Sequence, residues 1–359
     1  MSRDARSHAS PGMHPRRRWL PAVLVAALLL LAGCGEKPEP SADAPVRQEP
    51  YTVMLDYTPN ADHAGLYAAL DQGLYKNSGL DVKLQVPPDP ASVLKLVAAG
   101  KADVAISYEP DLLLARDQGA DNLVAVGALV QVPLTSLISL PESGVKTPQD
   151  LAGKRVATAG LPYQSAYLKT ILQKAGVDPN SVKETNVGFN LEPALISKRA
   201  DAVLGAFWNV EGVNLQREGH NPIIQRMEKL GVPTYDELIL VARRQDLDAA
   251  GASRLRRFLA ATSQGTRLLT QDPNAGLQPL LKADKSLDPA AQQASLKVTL
   301  PVFFPQDKEK PWGWQEPVDW ANYERWMRAE GLLKRPPSEA PPLTNEFLPG
   351  EGIGDSSRG

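Results

Sequence analysis

The chain has almost no cysteine and little histidine. Its 359 residues include one cysteine, Cys34, and four histidines, His8, His14, His63 and His220. A lone cysteine excludes an internal disulfide and a thiolate zinc site. Two of the histidines fall at the extreme N-terminus, so no histidine cluster exists for a metal. A Gly-x-x-x-x-Gly-Lys-Ser/Thr phosphate loop is also missing. The segment Ala261-Thr262-Ser263-Gln264-Gly265 lacks the first glycine of a nucleophile elbow and sits within a helical pattern. Gly350-Glu351-Gly352-Ile353-Gly354 follows a proline rather than a strand, so it is no dinucleotide fingerprint. Basic excess is absent as well. Formal net charge is −2; beyond the first 33 residues the balance is 34 basic to 40 acidic. Nucleic acid, which favours a basic patch, is therefore a poor partner.

Long apolar runs are scarce too. Arg16, Arg17 and Arg18 precede an apolar run, Trp19 to Leu31, followed by Ala32, Gly33 and Cys34. That run is short of the roughly 20 residues a membrane span needs. A basic region, a short apolar core and small residues describe a secretory signal. Leu31-Ala32-Gly33-Cys34 reads as a bacterial lipobox, in which Cys34 is lipidated and becomes the mature N-terminus. No other thiol would then remain, which removes a cysteine nucleophile. The expected placement is extracytoplasmic, anchored to the membrane by lipid on Cys34. Residues 34–50, rich in Pro, Glu, Ala and Ser, read as a disordered tether.

From Tyr51 onward the chain has α/β grammar. Tyr51 to Leu55 reads as a buried strand, and Val82, Leu84 and Val86 mark a second. A short helix near Ser92-Val97 leads to a strand at Ala102 to Ser107. Asp111 to Gln118 is a helix, and Leu123 to Val130 an apolar strand. A second unit repeats the pattern, with strands at Lys154 to Thr158, Val182 to Val187 and Asp201 to Phe207. Helices at Tyr163 to Ala175 and Glu192 to Arg199 separate them. Leu96 to Val104 and Leu195 to Val203 share a helix end, a basic turn, Ala-Asp and a strand start. Apolar segments at Pro133 to Ile138 and Tyr235 to Val241 cross between the units. The expectation is an α/β protein of two lobes, each a mixed, mostly parallel sheet flanked by helices. Lobe 1 would take 51–133 and 238–333, and lobe 2 would take 134–237. Trp320, Tyr323 and Trp326, at three-residue spacing, read as a packing stripe. Residues 334–359 read as a disordered tail.

Ligands in open α/β sheets sit at the carboxyl ends of strands. The first such end carries Asp56, Tyr57, Asn60 and His63. Tyr108 and Glu109 follow the third strand, where Glu109 could equally serve as an N-terminal helix acid. Thr135 and Ser136 lie on the first crossing strand. Trp208 and Glu211 follow the strand ending at Phe207; core packing and a helix cap are their plain alternatives. Tyr163 and Asn190 are further cleft candidates. No metal ligand set, catalytic group or cofactor is apparent.

Leu55-Asp56-Tyr57-Thr58-Pro59-Asn60, followed by His63, Gly65, Leu66 and Tyr67, closely resembles the mature start of one family. These are the solute-binding proteins of ABC importers that capture formylaminopyrimidine, a thiamine pyrimidine precursor. The resemblance covers roughly Tyr51 to Leu333. It implies a type II periplasmic-binding fold and capture of a formylaminopyrimidine or hydroxymethylpyrimidine by hinge closure. A permease driven by an ATPase would be the partner, and the protein a monomer. It implies stacking for Tyr57 and Trp208, and for Glu211 acceptance from the exocyclic amine. Tyr57 stands where well-known members have tryptophan. Riboflavin is the rival ligand; an anion fits poorly with these aromatic and acidic motifs. A related fungal pyrimidine synthase consumes its own histidine, which His63 matches. The synthase's cysteine-rich iron motif is missing here, which argues against an enzyme.

Overall fold

The computed structural model describes residues 48–89, 92–188 and 190–350. The signal, Cys34, residues 34–47 of the tether and residues 351–359 of the tail lie outside them. The first lobe opens with β1 (Glu49–Met54), a 3₁₀ turn at Ala61–His63, α1 (Ala64–Asp71) and α2 (Leu74–Asn77). It continues with β2 (Leu80–Gln85), α3 (Val93–Ala98), β3 (Val104–Ser107), α4 (Glu109–Asp117) and β4 (Leu123–Val130). The second lobe holds β5 (Thr135–Ser139), β6 (Arg155–Thr158), α5 (Pro162–Lys174), β7 (Lys183–Asn186) and α6 (Leu191–Ile196). It ends with β8 (Ala202–Phe207), α7 (Glu211–Arg217), β9 (Ile223–Arg226) and α8 (Met227–Leu230). The chain returns through β10 (Leu238–Arg243). Four helices come after it: α9 (Ala249–Leu268), α10 (Asn274–Ala283), α11 (Pro289–Thr299) and α12 (Pro317–Ala329).

The two sheets share one plan. Their strand orders are β2-β1-β3-β10-β4 and β7-β6-β8-β5-β9. In each, the strand arriving from the other lobe is the antiparallel one: β10 against β3 and β4, β5 against β8 and β9. The remaining strands run together, so their carboxyl ends gather on one side of each sheet. Both crossing strands enter from that side, which makes it the cleft. The expectation of two mixed sheets flanked by helices therefore holds.

The Ala-Asp repeat has a structural reason. Asp103 Oδ2 accepts from the Thr52 N–H at 2.8 Å, while the Asp103 N–H donates to Thr52 O at 2.9 Å. Asp201 does the same for Arg155, with 2.8 and 2.9 Å. Each aspartate fastens the start of the third strand to its neighbour, β1 in one lobe and β6 in the other.

Burial follows the apolar pattern. Both β4 and β7 end their sheets, but every residue of β4 is buried, its outer side being covered by the C-terminal segment, whereas polar β7 is an exposed edge. Trp320 and Tyr323 are buried, and Tyr323 packs between Tyr235 and Trp326. The packing stripe is thus seen as predicted. The tail differs from expectation up to Gly350. Ala125 N–H donates to Pro342 O and Thr344 N–H to Ala125 O, both at 2.8 Å, and Phe347 and Leu348 are buried. Proline density suggests disorder, but two apolar side chains and exposed sheet-edge groups on β4 hold this segment down. β9 is not foreseen by the pattern, because Ile223-Ile224-Gln225-Arg226 is too short to show alternation.

Candidate binding site

The Asp56–His63 loop is a fixed structure. Asn60 caps the 3₁₀ turn: its Oδ1 accepts from the Asp62 N–H at 2.9 Å. The Asn60 N–H donates to His63 Nδ1 at 3.1 Å, which leaves Nε2 to donate to Asp56 Oδ1 at 2.7 Å. Tyr108 O–H donates to the other oxygen, Asp56 Oδ2, at 2.7 Å. Burial works to raise the Asp56 pKa, yet the bonds from His63 and Tyr108 outweigh it and hold the carboxylate below its usual range. His63 is wholly buried, with both ring nitrogens engaged. Asp56, Asn60, His63 and Tyr108 are therefore brought together, and Tyr57 beside them is 38% exposed.

A second group of acids lines the return crossing. Glu237 is buried and accepts from Leu134 N–H at 2.8 Å, Thr135 N–H at 2.9 Å, Tyr235 O–H at 3.0 Å and Thr135 Oγ1 at 3.2 Å. It ties the two crossing strands together where they leave the lobes. Burial pushes it up to about 7 against those four bonds. Glu109 accepts from the Asp236 N–H at 2.8 Å, and Trp320 Nε1–H donates to Asp236 Oδ2 at 2.7 Å. Burial raises both pKa values, and the Asp236 charge raises that of Glu109 further. Glu109 Oε1 has no partner among the described residues. Ser136 is turned away, donating to Ala206 O at 2.9 Å.

Across the cleft lies the loop after β8. Trp208 Nε1–H donates to Pro133 O at 3.0 Å, and the Arg226 guanidinium lies 4.3 Å from the ring centroid. Arg226 thus covers one indole face. Glu211 opens α7, where the helix dipole favours an acid. Its Oε2 accepts from the Phe207 N–H at 2.7 Å, and burial pushes its pKa up to about 6. The backbone N–H of Glu211 itself is a second donor to the carboxyl. Asn209, between these two, carries no signal in the sequence pattern. It is wholly buried and donates to Asp62 Oδ1 at 2.7 Å and Thr299 Oγ1 at 2.8 Å. Burial pushes Asp62 up to about 7. The two remaining candidates stand apart: Tyr163 packs on Tyr167 at 5.4 Å in an aromatic core, and Asn190 precedes α6 near the surface. No cluster among the described residues could hold a metal ion, and no helix among them is long and apolar enough to cross a membrane.

The comparisons with known proteins bear on the family and the fold. A family model described as NMT1/THI5 like matches residues 60–276. The chain is 33% identical over 317 residues to a formylaminopyrimidine-binding protein of Halalkalibacterium halodurans, covering 87% of this chain and 94% of that protein. It is 36% identical over 292 residues to a putative thiamine biosynthesis protein of Haemophilus influenzae, covering 80% and 89%. Among solved structures, an alkanesulfonate-binding protein of Xanthomonas axonopodis pv. citri superposes with a TM-score of 0.62. It is 18% identical, over 83% of this chain and 99% of that one. That likeness concerns the fold.

Proposed function

The chain belongs to the NMT1/THI5-like family, and we propose that it captures a thiamine pyrimidine precursor for an ABC importer. The ligand is formylaminopyrimidine or hydroxymethylpyrimidine, held between the lobes and passed to a permease driven by an ATPase. No bond is made or broken. Lipid on Cys34 keeps the protein, a monomer, at the outer side of the membrane.

The observation that carries the reading is Glu211. A half-buried carboxylate held in place by backbone N–H groups of its own loop keeps lone pairs for a further donor. The exocyclic amine of an aminopyrimidine supplies one. Trp208, held by Arg226 on one face and packed at the rim of the lobe 1 core, is the stacking residue of this reading, such stacking being worth about 1–3 kcal/mol per ring. Tyr57, exposed on the facing loop, is the partner wall. The fixed Asp56–His63–Tyr108 network supports capture rather than chemistry, because the His63 ring is committed to structural bonds.

Titration calorimetry on the full chain tests this with formylaminopyrimidine, hydroxymethylpyrimidine, riboflavin and thiamine in parallel. The pyrimidines bind and intact thiamine is excluded by its added thiazolium. Glu211→Gln turns part of the acceptor into a donor facing the amine. A hydrogen bond to a charged group is worth about 1.5–3 kcal/mol. Pyrimidine binding therefore weakens roughly ten- to hundredfold. Riboflavin heat without pyrimidine heat would move the assignment to riboflavin. Unweakened binding in Glu211→Gln would remove Glu211 from the site.

A further inference from the structure

The lobes meet along two edges of unlike chemistry. On one, α5 faces α12 through stacked aromatic rings. Tyr167 packs on Tyr235 and Trp326, Trp326 Nε1–H donates to Thr170 Oγ1 at 3.2 Å, and Lys169 pairs with Glu330. Opening that edge would expose a broad apolar surface. On the other edge the end of β8 and α7 face the 3₁₀ turn and α11. Phe207 and Trp208 pack against the lobe 1 core there, and the polar contacts are Asn209 to Asp62 and Thr299 and an exposed Arg217–Asp288 pair at 3.1 Å. An exposed pair contributes little. Among the polar contacts of this edge, the buried bonds of Asn209 are therefore the strong ones.

We propose that Asn209 is the latch that holds the lobes closed over the ligand. This rests on the solute-capture reading above and names the residue that sets how long the solute stays. Both partners are prepared for it. Thr299 Oγ1 donates its own proton to Ser295 O at 2.8 Å, which leaves its lone pairs for Asn209. Asn60 Oδ1 holds the Asp62 backbone, and so fixes the carboxyl facing the other lobe. One amide nitrogen with two hydrogens meets two acceptors from two elements of lobe 1. Such a bond pair forms only when both lobes are in register. Asn209 touches no ring in this scheme. It is a positioning residue that acts through closure, beside Trp208 and Glu211 on the same loop.

Stopped-flow binding of hydroxymethylpyrimidine to the full chain tests it, together with small-angle scattering of the ligand-free protein. Asn209→Ala should release the pyrimidine roughly ten- to hundredfold faster, with association changed by no more than about twofold. Thr299→Val should do the same to a smaller degree. The double variant should be no worse than Asn209→Ala, because the two side chains share one bond. Scattering should give a larger mean radius for ligand-free Asn209→Ala than for the wild type. Unchanged release with an unchanged radius would overturn the latch, as would slower association at an unchanged release rate. A larger radius in Asn209→Ala with no pyrimidine binding to either protein would support the latch and overturn the ligand assignment instead.

Discussion

Asp62 and Glu237 are carboxyls pushed up to about 7 by burial, whereas Asp56 is held below its ordinary 3.8. A carboxyl with a raised folded pKa takes up a proton on folding. Its contribution to stability is full below its unfolded pKa and is lost as pH climbs through the folded value. Asp56 works the other way, contributing above its unfolded pKa and losing that share as pH falls through its lowered one. Stability should therefore be greatest on the acid side of neutrality and decline between roughly pH 4 and pH 7, levelling off above. Melting temperature against pH measures this, and Asp62→Asn should flatten the decline. A curve rising over that range would mean that these acids are charged and paired in the folded protein. At this scale the sequence is only partly legible. Asp56, Asn60, His63 and Tyr108 come together because strand ends and turn residues mark themselves. Asn209 and Glu237 do not, since, Tyr235 apart, their partners lie 90 or more residues away in the chain, at Thr299, Asp62, Leu134 and Thr135.

Elements pack through small residues in lobe 1. A Cβ on Gly265 of α9 would stand 2.4 Å from Gly65 O and 2.7 Å from Ala69 Cβ of α1. Gly265 is therefore a contact point between two helix backbones, which is why a glycine sits mid-helix where no elbow exists. Gly265→Ala should cost about 1–3 kcal/mol, as overpacking does, despite the better helix propensity of alanine. A denaturant midpoint reads it; an unchanged or higher midpoint would show that α1 can shift freely. Helix positions are legible to within a few residues from their apolar spacing, since among the described residues only Asp248 and Asp288 cap an α-helix with a side-chain bond. Asp248 accepts from Gly251 N–H and so sets the start of α9 at Ala249, ahead of its first buried large apolar residue, Leu255. The repeated Ala-Asp is visible in the sequence, but its work at Asp103 and Asp201 requires the strand order.

The whole molecule is a pair of like lobes joined by two reversed strands and braced by the segment after β10. Two-lobe grammar is readable because each lobe repeats strand, helix and strand at the same intervals. The C-terminal strap is not, because its hold on β4 comes from backbone bonds and from Phe347 and Leu348, two apolar residues inside a proline-rich stretch. Placed around Glu211, Trp208 and the Asp56–His63 loop, this frame is suited to enclosing one flat ring. Native mass spectrometry of the full chain purified from its own host reads the solute without a choice of probe. The account predicts a bound mass equal to formylaminopyrimidine or hydroxymethylpyrimidine, lost in Glu211→Gln. A bound flavin or sulfonate that survives Glu211→Gln would contradict it.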